Sequence, residues 1–285
     1  IIPLKGSVLQ FSFKLTKRNL NYGGKAMKKI FSLALILVMS MVVLTGCGNN
    51  QQGKTDKKII VGLDDNFPPM GFIGDNNEII GFDIDLAKEA SKRLGREVEF
   101  RPIDWSSKEV ELSSGRIDIL WNGLDITEKR KENILFSDPY MDSKQLIFVN
   151  PNSPIKAVAD LAGKKVGVQE GSTADETLAT DEALKKSIKE VKKYPDCISA
   201  LMDLEAGRVD AIVTDEIIGR YYMSKNKESF VVLEEPVGPV GTFGIGFRKD
   251  DQKLRDDVQK VINEMKKDGT ASKISMKWFN KDIIK

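Results

Sequence analysis

Three loop-to-helix junctions carry side chains that could bind a charged small molecule. Arg130 lies in the first turn of a helix that Thr127 can cap, and a guanidinium there can clamp a carboxylate through paired hydrogen bonds. Ser172 and Thr173 follow a short β-branched run and offer hydroxyls and free backbone N–H groups to an anion. Asp215 ends another such run, where its carboxylate can pair with an ammonium group. Together the junctions predict a receptor for a zwitterion.

Each junction also has a purely structural interpretation. Arg130 alone could pair with a neighbouring acid, and Ser172, Thr173 and Asp215 could do no more than cap helices. The prediction of a site therefore depends on the three junctions occurring in one chain.

The elements that must position these residues alternate between short strands and helices. In the first half, strand patterns precede helical patterns as follows: 59–63 then 82–94, 98–100 then 108–113, and 117–121 then 127–132. The alternation restarts after residues 151–154, with strand patterns at 165–169, 189–194 and 210–214 and helices from Ser172, through 200–205 and from Asp215. This order is typical of α/β folds in which helices cover both faces of a mainly parallel sheet. Both halves also contain a helix end followed by Gly-Arg and a strand, at Gly115 and Gly207, which favours two similar lobes.

The composition excludes most kinds of enzyme and metal site. The 285 residues include no histidine and only two cysteines, Cys47 and Cys197. Histidine is the commonest general base and the usual partner of serine or cysteine nucleophiles and of zinc. We therefore expect no catalytic residues, no cofactor and no metal, and we interpret Cys197 as a packed thiol.

The N-terminal region predicts export and a lipid anchor. An apolar run at 30–43 follows Lys28 and Lys29, is too short to span a bilayer, and ends in Leu44-Thr45-Gly46-Cys47, which resembles the bacterial lipobox. We interpret 27–46 as a lipoprotein signal peptide, Cys47 as the lipidated (palmitate-bearing) residue, and the polar segment 47–57 as a flexible tether. Residues 1–26 are interpreted as non-native translated upstream sequence, because Gly23-Gly24-Lys25 before Met27 can be encoded by a ribosome-binding site.

The charge of the chain depends on this leader. Of the 44 basic residues, seven lie in residues 1–46, which contain no acid, so 37 basic residues remain against 42 acidic ones and the net charge changes from +2 to −5. A net acidic chain without a basic cluster does not favour a nucleic-acid partner.

A set of ordered motifs resembles a known family. The motifs are Val61–Met70, Gly81–Leu86, Ile126–Arg130, Phe136–Tyr140, Gly167–Thr173 and Leu204–Ala211. Each is weak alone, but their order over residues 58–279 is similar to that of the polar amino-acid-binding proteins of bacterial ABC importers, the family 3 solute-binding proteins.

The resemblance implies a two-lobed periplasmic-binding-protein fold of type II that closes on its ligand. Lobe 1 would comprise 58–148 and 242–285 and lobe 2 would comprise 149–241, with hinges near Ile147–Pro151 and Pro239–Thr242. It further implies a monomeric, extracytoplasmic receptor, lipid-anchored to the cell membrane through Cys47, that delivers an amino acid to a membrane permease.

The resemblance also implies roles for individual residues in the cleft. Arg130 matches the arginine that binds the ligand carboxylate, Ser172 and Thr173 match further carboxylate contacts, and Asp215 and the Gly123 carbonyl match the ammonium site. The remaining predicted contacts are the aromatic pair Phe67 and Trp105, and Asp64, Asn122 and Asp125 around the side-chain and ammonium ends. Asp125 departs from the serine or threonine usual in the family.

Three carboxylates facing one arginine disfavour a dianionic ligand such as glutamate. A polar L-amino acid is expected, with cystine, glutamine and the basic amino acids left open. Two alternative functions are a surface adhesin or sensor with the same fold and, less favoured, a dehydratase-like enzyme that would use Glu170 as a proton donor.

Overall fold

The structure is a computed structural model that describes residues 58–226 and 229–285. The interpretations of residues 1–26, 27–46 and 47–57, including Cys47, fall outside these described residues. Thr55–Lys285 form one compact unit. Within the described ranges, none of the helices has both the length and the apolar character needed to cross a bilayer.

Strands and short helices alternate along the chain, as the sequence predicts. The strands are β1 (Ile59–Leu63), β2 (Asn66–Phe67), β3 (Gly71–Ile73), β4 (Ile79–Ile80), β5 (Val98–Pro102), β6 (Ile119–Asp125), β7 (Ile134–Phe136), β8 (Met141–Ser143), β9 (Gln145–Val149), β10 (Lys165–Gln169), β11 (Glu190–Tyr194), β12 (Ala211–Asp215), β13 (Val231–Leu233) and β14 (Gly241–Arg248). The α-helices are α1 (Phe82–Arg93), α2 (Lys108–Ser113), α3 (Glu128–Lys131), α4 (Thr173–Thr180), α5 (Glu182–Ser187), α6 (Cys197–Glu205), α7 (Glu216–Lys225), α8 (Gln252–Lys267) and α9 (Thr270–Phe279).

Two separate sheets define two lobes with matching topology. The sheet of lobe 1 has the order β5-β1-β6-β14-β7, with β8 paired to β14, and the sheet of lobe 2 has the order β11-β10-β12-β9-β13. In each lobe the first three strands of this order are parallel, and the fourth runs antiparallel to them. The predicted α/β class with two similar lobes is confirmed.

Helices cover both faces of each sheet, so each lobe has a core on either side. In lobe 1, α1, α8 and α9 pack on one face, where Phe82, Phe247 and Met265 are fully buried, and α2 with Leu112 packs on the other. The C-terminal helices therefore return to the first lobe, and lobe 1 is discontinuous in sequence. Burying apolar faces against both sides of the sheet is what holds its central strands in place.

The chain crosses between the sheets at two places. Ser143 still pairs with β14 in lobe 1, whereas Gln145 already pairs with Asp215 in lobe 2, so the first crossover is at Lys144. The second lies between Leu233, which pairs with β9, and Gly241. The first crossover is earlier than the expected hinge at 147–151, because the strand 145–149 pairs with the second sheet along its whole length.

Candidate functional site

Arg130 lies in the cleft between the lobes, on the short helix after β6. Thr127 caps this helix by accepting a hydrogen bond from the Arg130 backbone N–H at 3.2 Å. The guanidinium is 1% exposed and donates to the Asp125 carbonyl at 3.2 Å and to the Gly171 carbonyl of lobe 2 at 3.3 Å. The Glu176 carboxylate is 3.5 Å away, and the Arg130 Nε has no hydrogen-bond partner among the described residues. Arg130 thus retains donors for a further carboxylate.

Two buried carboxylates stand at the ends of corresponding strands, Asp125 at the end of β6 and Asp215 at the end of β12. Asp215 Oδ1 accepts hydrogen bonds from Gln145 Nε2 at 2.7 Å and from Ser143 Oγ at 3.3 Å. Burial raises the pKa of both carboxyl groups, and the charge of Asp125 raises the pKa of Asp215 further. Buried carboxylates that repel each other favour a cation between them.

The two hydroxyl residues at the start of α4 have different roles in the structure. Ser172 caps the helix, since its Oγ accepts a hydrogen bond from the Asp175 backbone N–H at 3.1 Å. Thr173 reaches across the cleft and donates to Asp125 Oδ2 at 2.5 Å. The capping alternative thus describes the Ser172 side chain, and Thr173 joins lobe 2 to lobe 1.

A small cavity of about 10 Å³, which is room for about one water molecule, lies between the lobes next to these groups. Its lining consists of Asp64, Phe67, Trp105, Asn122, Gly123 and Gln169. Five of these six residues are predicted site residues, and the two aromatic side chains form its apolar part. The cavity has the mixed lining of a small-molecule site, with apolar walls and a few polar groups.

Asp64 supplies the acidic end of this cavity. Its Oδ1 accepts a hydrogen bond from the Asn66 backbone N–H at 2.8 Å, and its Oδ2 accepts one from Gln169 Nε2, on lobe 2, at 2.6 Å. Burial raises the pKa of Asp64 from 3.8 to about 6, although both hydrogen bonds lower it. Asn122 Oδ1 accepts from the Asp64 backbone N–H at 3.2 Å, and its Nδ2 is buried without a partner in the described chain.

Gly123 is held at the cavity by a buried acid from α1. Its φ is +57°, and an added Cβ would lie 2.9 Å from Phe67 Cε1, so glycine is required both by conformation and by the close approach of the ring. Asp83 Oδ2 accepts from the Gly123 backbone N–H at 2.7 Å and from the Tyr140 hydroxyl at 2.9 Å. Burial raises the pKa of Asp83 to about 7. Asp83 is therefore structural, but it shapes the site.

Several residues at the cleft were not predicted. Gln169 joins Asp64 to the Cys197 thiol, which is buried, and burial raises the pKa of that thiol. Lys108 Nζ donates to the Gly171 carbonyl at 2.8 Å. Glu170, the proton donor of the enzyme alternative, is exposed. The sequence motifs indicated the loop-to-helix junctions. They did not indicate the roles of Gln169 and Lys108, because these residues meet their partners only where the two lobes touch.

Several pairs of residues connect the lobes directly, which makes this a closed arrangement, and four of these pairs involve residues 169–173 of lobe 2. Asp64 of lobe 1 pairs with Gln169 of lobe 2, and Asp125 of lobe 1 pairs with Thr173 of lobe 2. Lys108 and Arg130 of lobe 1 both donate to the Gly171 carbonyl of lobe 2. Four of the predicted site residues therefore belong to the surface that forms when the lobes meet. Within the described ranges, acidic and cysteine side chains form no cluster suited to a metal ion.

Comparison with known proteins gives a consistent family. Residues 59–281 match the model of the bacterial extracellular solute-binding proteins, family 3. The chain is 32% identical over 267 residues to the L-cystine-binding protein TcyJ of Escherichia coli strain K12, which covers 92% of this chain and 98% of that protein. It is also 32% identical over 261 residues to the arginine-binding extracellular protein ArtP of Bacillus subtilis strain 168, covering 89% and 98%.

A solved structure agrees with these sequence relatives. The substrate-binding protein of an ABC uptake transporter from Streptococcus pneumoniae, solved with bound histidine, superposes with a TM-score of 0.77 at 35% identity. The match covers 83% of this chain and 98% of that one. The three proteins bind different amino acids by name, so the comparisons identify a class of ligand.

Proposed function

Because the chain belongs to the bacterial extracellular solute-binding proteins of family 3 and has their two-lobed type II fold, we propose that it captures a free L-amino acid between its lobes. It then delivers this amino acid to the permease of an ABC importer. The amino acids named for the relatives, cystine, arginine and histidine, all carry an α-carboxylate and an α-ammonium group.

One observation carries the proposal. A buried guanidinium with an unpartnered Nε lies in the same cleft as two buried carboxylates of raised pKa, so the cleft contains both an anion site and a cation site. Arg130 would bind the α-carboxylate, and Asp215 with Asp125 would bind the α-ammonium, assisted by the Gly123 carbonyl. A zwitterion satisfies all three charges at once, which a neutral solute cannot do.

The side-chain end of the cavity favours a ligand that ends in hydrogen-bond donors. Phe67 and Trp105 would sandwich the ligand stem, and the Asp64 carboxylate presents acceptors beyond it. The donors to Asp64 among the described residues, the Asn66 N–H and Gln169, are neutral, so a cationic side chain would add the missing counter-charge. We therefore propose a basic amino acid first, with glutamine and cystine as the alternatives, and exclude glutamate and aspartate by like-charge repulsion.

Capture would proceed by closure of the lobes about the two crossovers. Arg130 stands on lobe 1 and Asp215 on lobe 2, so a single ligand contacts both only when the lobes approach. A ligand that binds the closed form better shifts the population towards it. The permease would then recognise the closed form.

A ligand screen tests this function. We expect one or a few L-amino acids to raise the melting temperature of residues 55–285 in a thermal-shift panel of all twenty amino acids and cystine, since a ligand that binds the native state stabilises it. Arginine, lysine or histidine should give the largest shift, and glutamate and aspartate none. A panel without any stabilising amino acid would contradict the function, and a largest shift with glutamate would contradict the charge argument.

We further propose that Cys47 carries a lipid anchor and that residues 47–57 tether a monomeric receptor to the outer face of the cell membrane. The support is the sequence pattern Leu44–Cys47 behind a short apolar run, together with acyl chains that each add about 0.8 kcal/mol per buried CH₂. Expression of the Cys47→Ala chain should move the protein from the membrane fraction to the soluble fraction. Retention of that variant in the membrane fraction would rule out the anchor.

A further inference from the structure

Lys108 is a buried lysine that the amino-acid site does not explain. It begins α2, is 3% exposed, and none of the described carboxylates lies within ion-pair distance of its ammonium. Its Nζ donates to the Trp105 carbonyl at 3.3 Å and to the Gly171 carbonyl at 2.8 Å. Burial and the charge of Arg130 lower the pKa of Lys108 to about 8, so the group remains charged at pH 7. A buried charge with so few partners is costly unless each hydrogen bond is made.

The Gly171 carbonyl is the meeting point of the two lobes at this place. It belongs to the turn before α4 of lobe 2, and it accepts from Lys108 at 2.8 Å and from Arg130 at 3.3 Å, both of lobe 1. Gly171 has a φ of +71°, and an added Cβ would lie 3.0 Å from the Ser106 Cα across the cleft. The backbones of the two lobes are therefore in close contact beside Lys108.

Lys108 also touches one wall of the proposed ligand cavity. Its Nζ lies 5.3 Å from the centroid of the Trp105 ring, which lines the cavity, within the range of a cation–π contact. The lysine is thus bonded to the wall residue on its own lobe and to the backbone of the opposite lobe. It does not itself line the cavity.

We propose that Lys108 is a positioning residue that latches lobe 2 to lobe 1 through the Gly171 carbonyl and so slows release of the bound amino acid. The inference rests on the proposed function in that the lobes close on a ligand. The bond to Gly171 forms only when the lobes are together, so it stabilises the closed form and leaves the initial encounter with the ligand unchanged. Arg130, in contrast, would contact the ligand itself.

Rapid-mixing kinetics test the latch. Lys108→Met removes the donor and keeps an unbranched side chain of similar length, and Lys108→Gln serves the same purpose if the methionine variant does not fold. Lys260→Met, at an exposed lysine of α8, is the matched control. Association and dissociation rates would be measured by tryptophan fluorescence on the full-length protein in mild detergent, with L-arginine as probe, or L-glutamine if arginine does not stabilise the protein.

We expect the Lys108 variants to dissociate about ten- to a hundredfold faster, as befits one lost hydrogen bond from a charged donor. Their association rates should stay within about twofold of the unaltered protein. The preference between arginine and glutamine should not change, because the latch lies outside the cavity. Dissociation rates within twofold of the control, or a loss of affinity carried by the association rate, would overturn the proposal.

A distance measurement separates this proposal from the proposed function. Spin labels at Val110→Cys on lobe 1 and Met202→Cys on lobe 2, both exposed positions, report the separation of the lobes in a Cys47→Ala chain. Without ligand, Lys108→Met should shift the distances towards the open form, and an unchanged distribution would overturn the latch. Failure of the unaltered protein to bind any amino acid would instead contradict the function, and the latch would then be judged by these distances.

Discussion

Arg130 should be the residue whose loss reduces ligand affinity most. Its guanidinium is buried and lies 3.5 Å from the Glu176 carboxylate, and its Nε has no partner among the described residues. Because the guanidinium is the proposed partner of the ligand carboxylate, removing it leaves that carboxylate without a counter-charge. Truncating one member of a buried charge pair costs about 2–5 kcal/mol, which corresponds to at least about thirtyfold in affinity. We expect this loss for Arg130→Ala in isothermal titration calorimetry.

An exposed arginine of lobe 2 provides the control for that measurement. Arg208 is paired with Asp203 at the surface, and Arg208→Ala should leave the dissociation constant unchanged. An Arg130→Ala chain that binds as tightly as the Arg208→Ala chain would show that the guanidinium does not bind the carboxylate.

Asp64 should make the affinity for a basic amino acid depend on pH. The pKa of Asp64 is raised to about 6 by burial, and a bound cation would lower it, so binding of the cation releases a proton below about pH 6. The affinity for arginine should therefore fall as the pH decreases from 7 to 5, more steeply than the affinity for glutamine. Titrations of both ligands isolate Asp64, since Asp125 and Asp215 face the ammonium that both ligands share.

The Asp64→Asn chain is the control for this titration. It should lose affinity for arginine at pH 7 and show the same pH dependence for both ligands. Parallel curves for arginine and glutamine in the unaltered protein would mean that Asp64 does not bind the side chain.

At the residue scale, the sequence reveals the groups that stand next to a recognisable junction. Arg130 lies just beyond the end of β6 and Asp215 ends β12, so the three junctions taken together with the family resemblance could indicate that both residues reach the cleft. Gln169 and Lys108 could not, because their partners Asp64 and Gly171 are distant in sequence and belong to the other lobe. Their roles depend on tertiary contact between lobes, which no local periodicity encodes.

At the scale of elements, local patterns place most strands and helices but not all of their ends. β10 coincides with the predicted strand at 165–169, and α2 with the predicted helix at 108–113. β6, in contrast, continues to Asp125 beyond the predicted end at Trp121. β14, from the far end of the chain, pairs beside it with Phe243 opposite Asp125, and this ladder extends the strand past the glycine that would locally end it.

The turn before α4 allows a sharp test of lobe closure. Gly171→Ala introduces a Cβ 3.0 Å from the Ser106 Cα of lobe 1, whereas Gly207→Ala introduces one with nothing within 4 Å. Both glycines have a φ near +70°, so both variants should lose about 1 kcal/mol or more of folding stability. Only Gly171→Ala should also lose ligand affinity, by about tenfold or more, because the lobes can no longer approach fully.

Urea unfolding and calorimetry on the two glycine variants separate these effects. Equal losses of stability with unequal losses of affinity are expected. Equal affinity in both variants would show that the contact between Gly171 and Ser106 is not part of the ligand-bound form.

At the scale of the whole molecule, the chain is organised so that one ligand can bridge two lobes, each built on its own sheet. Apolar clusters lie on both faces of each sheet, and within the described ranges the chain passes between the sheets at Lys144 and in the segment 234–240. Because so few connections join the two lobes, hinge motion of the lobes as rigid bodies is favoured. The polar residues of the site then meet only in the closed form.

We propose above all that the cleft recognises both charges of a free amino acid. Calorimetry with the amino acid that gives the largest thermal shift, with its N-acetyl derivative and with its α-carboxamide tests this recognition. We expect one binding site per chain for the free amino acid and at least about a hundredfold weaker binding of each derivative, since each removes one charge from a buried pair. Binding of either derivative as tightly as the free amino acid would contradict the assignment of Arg130 and Asp215.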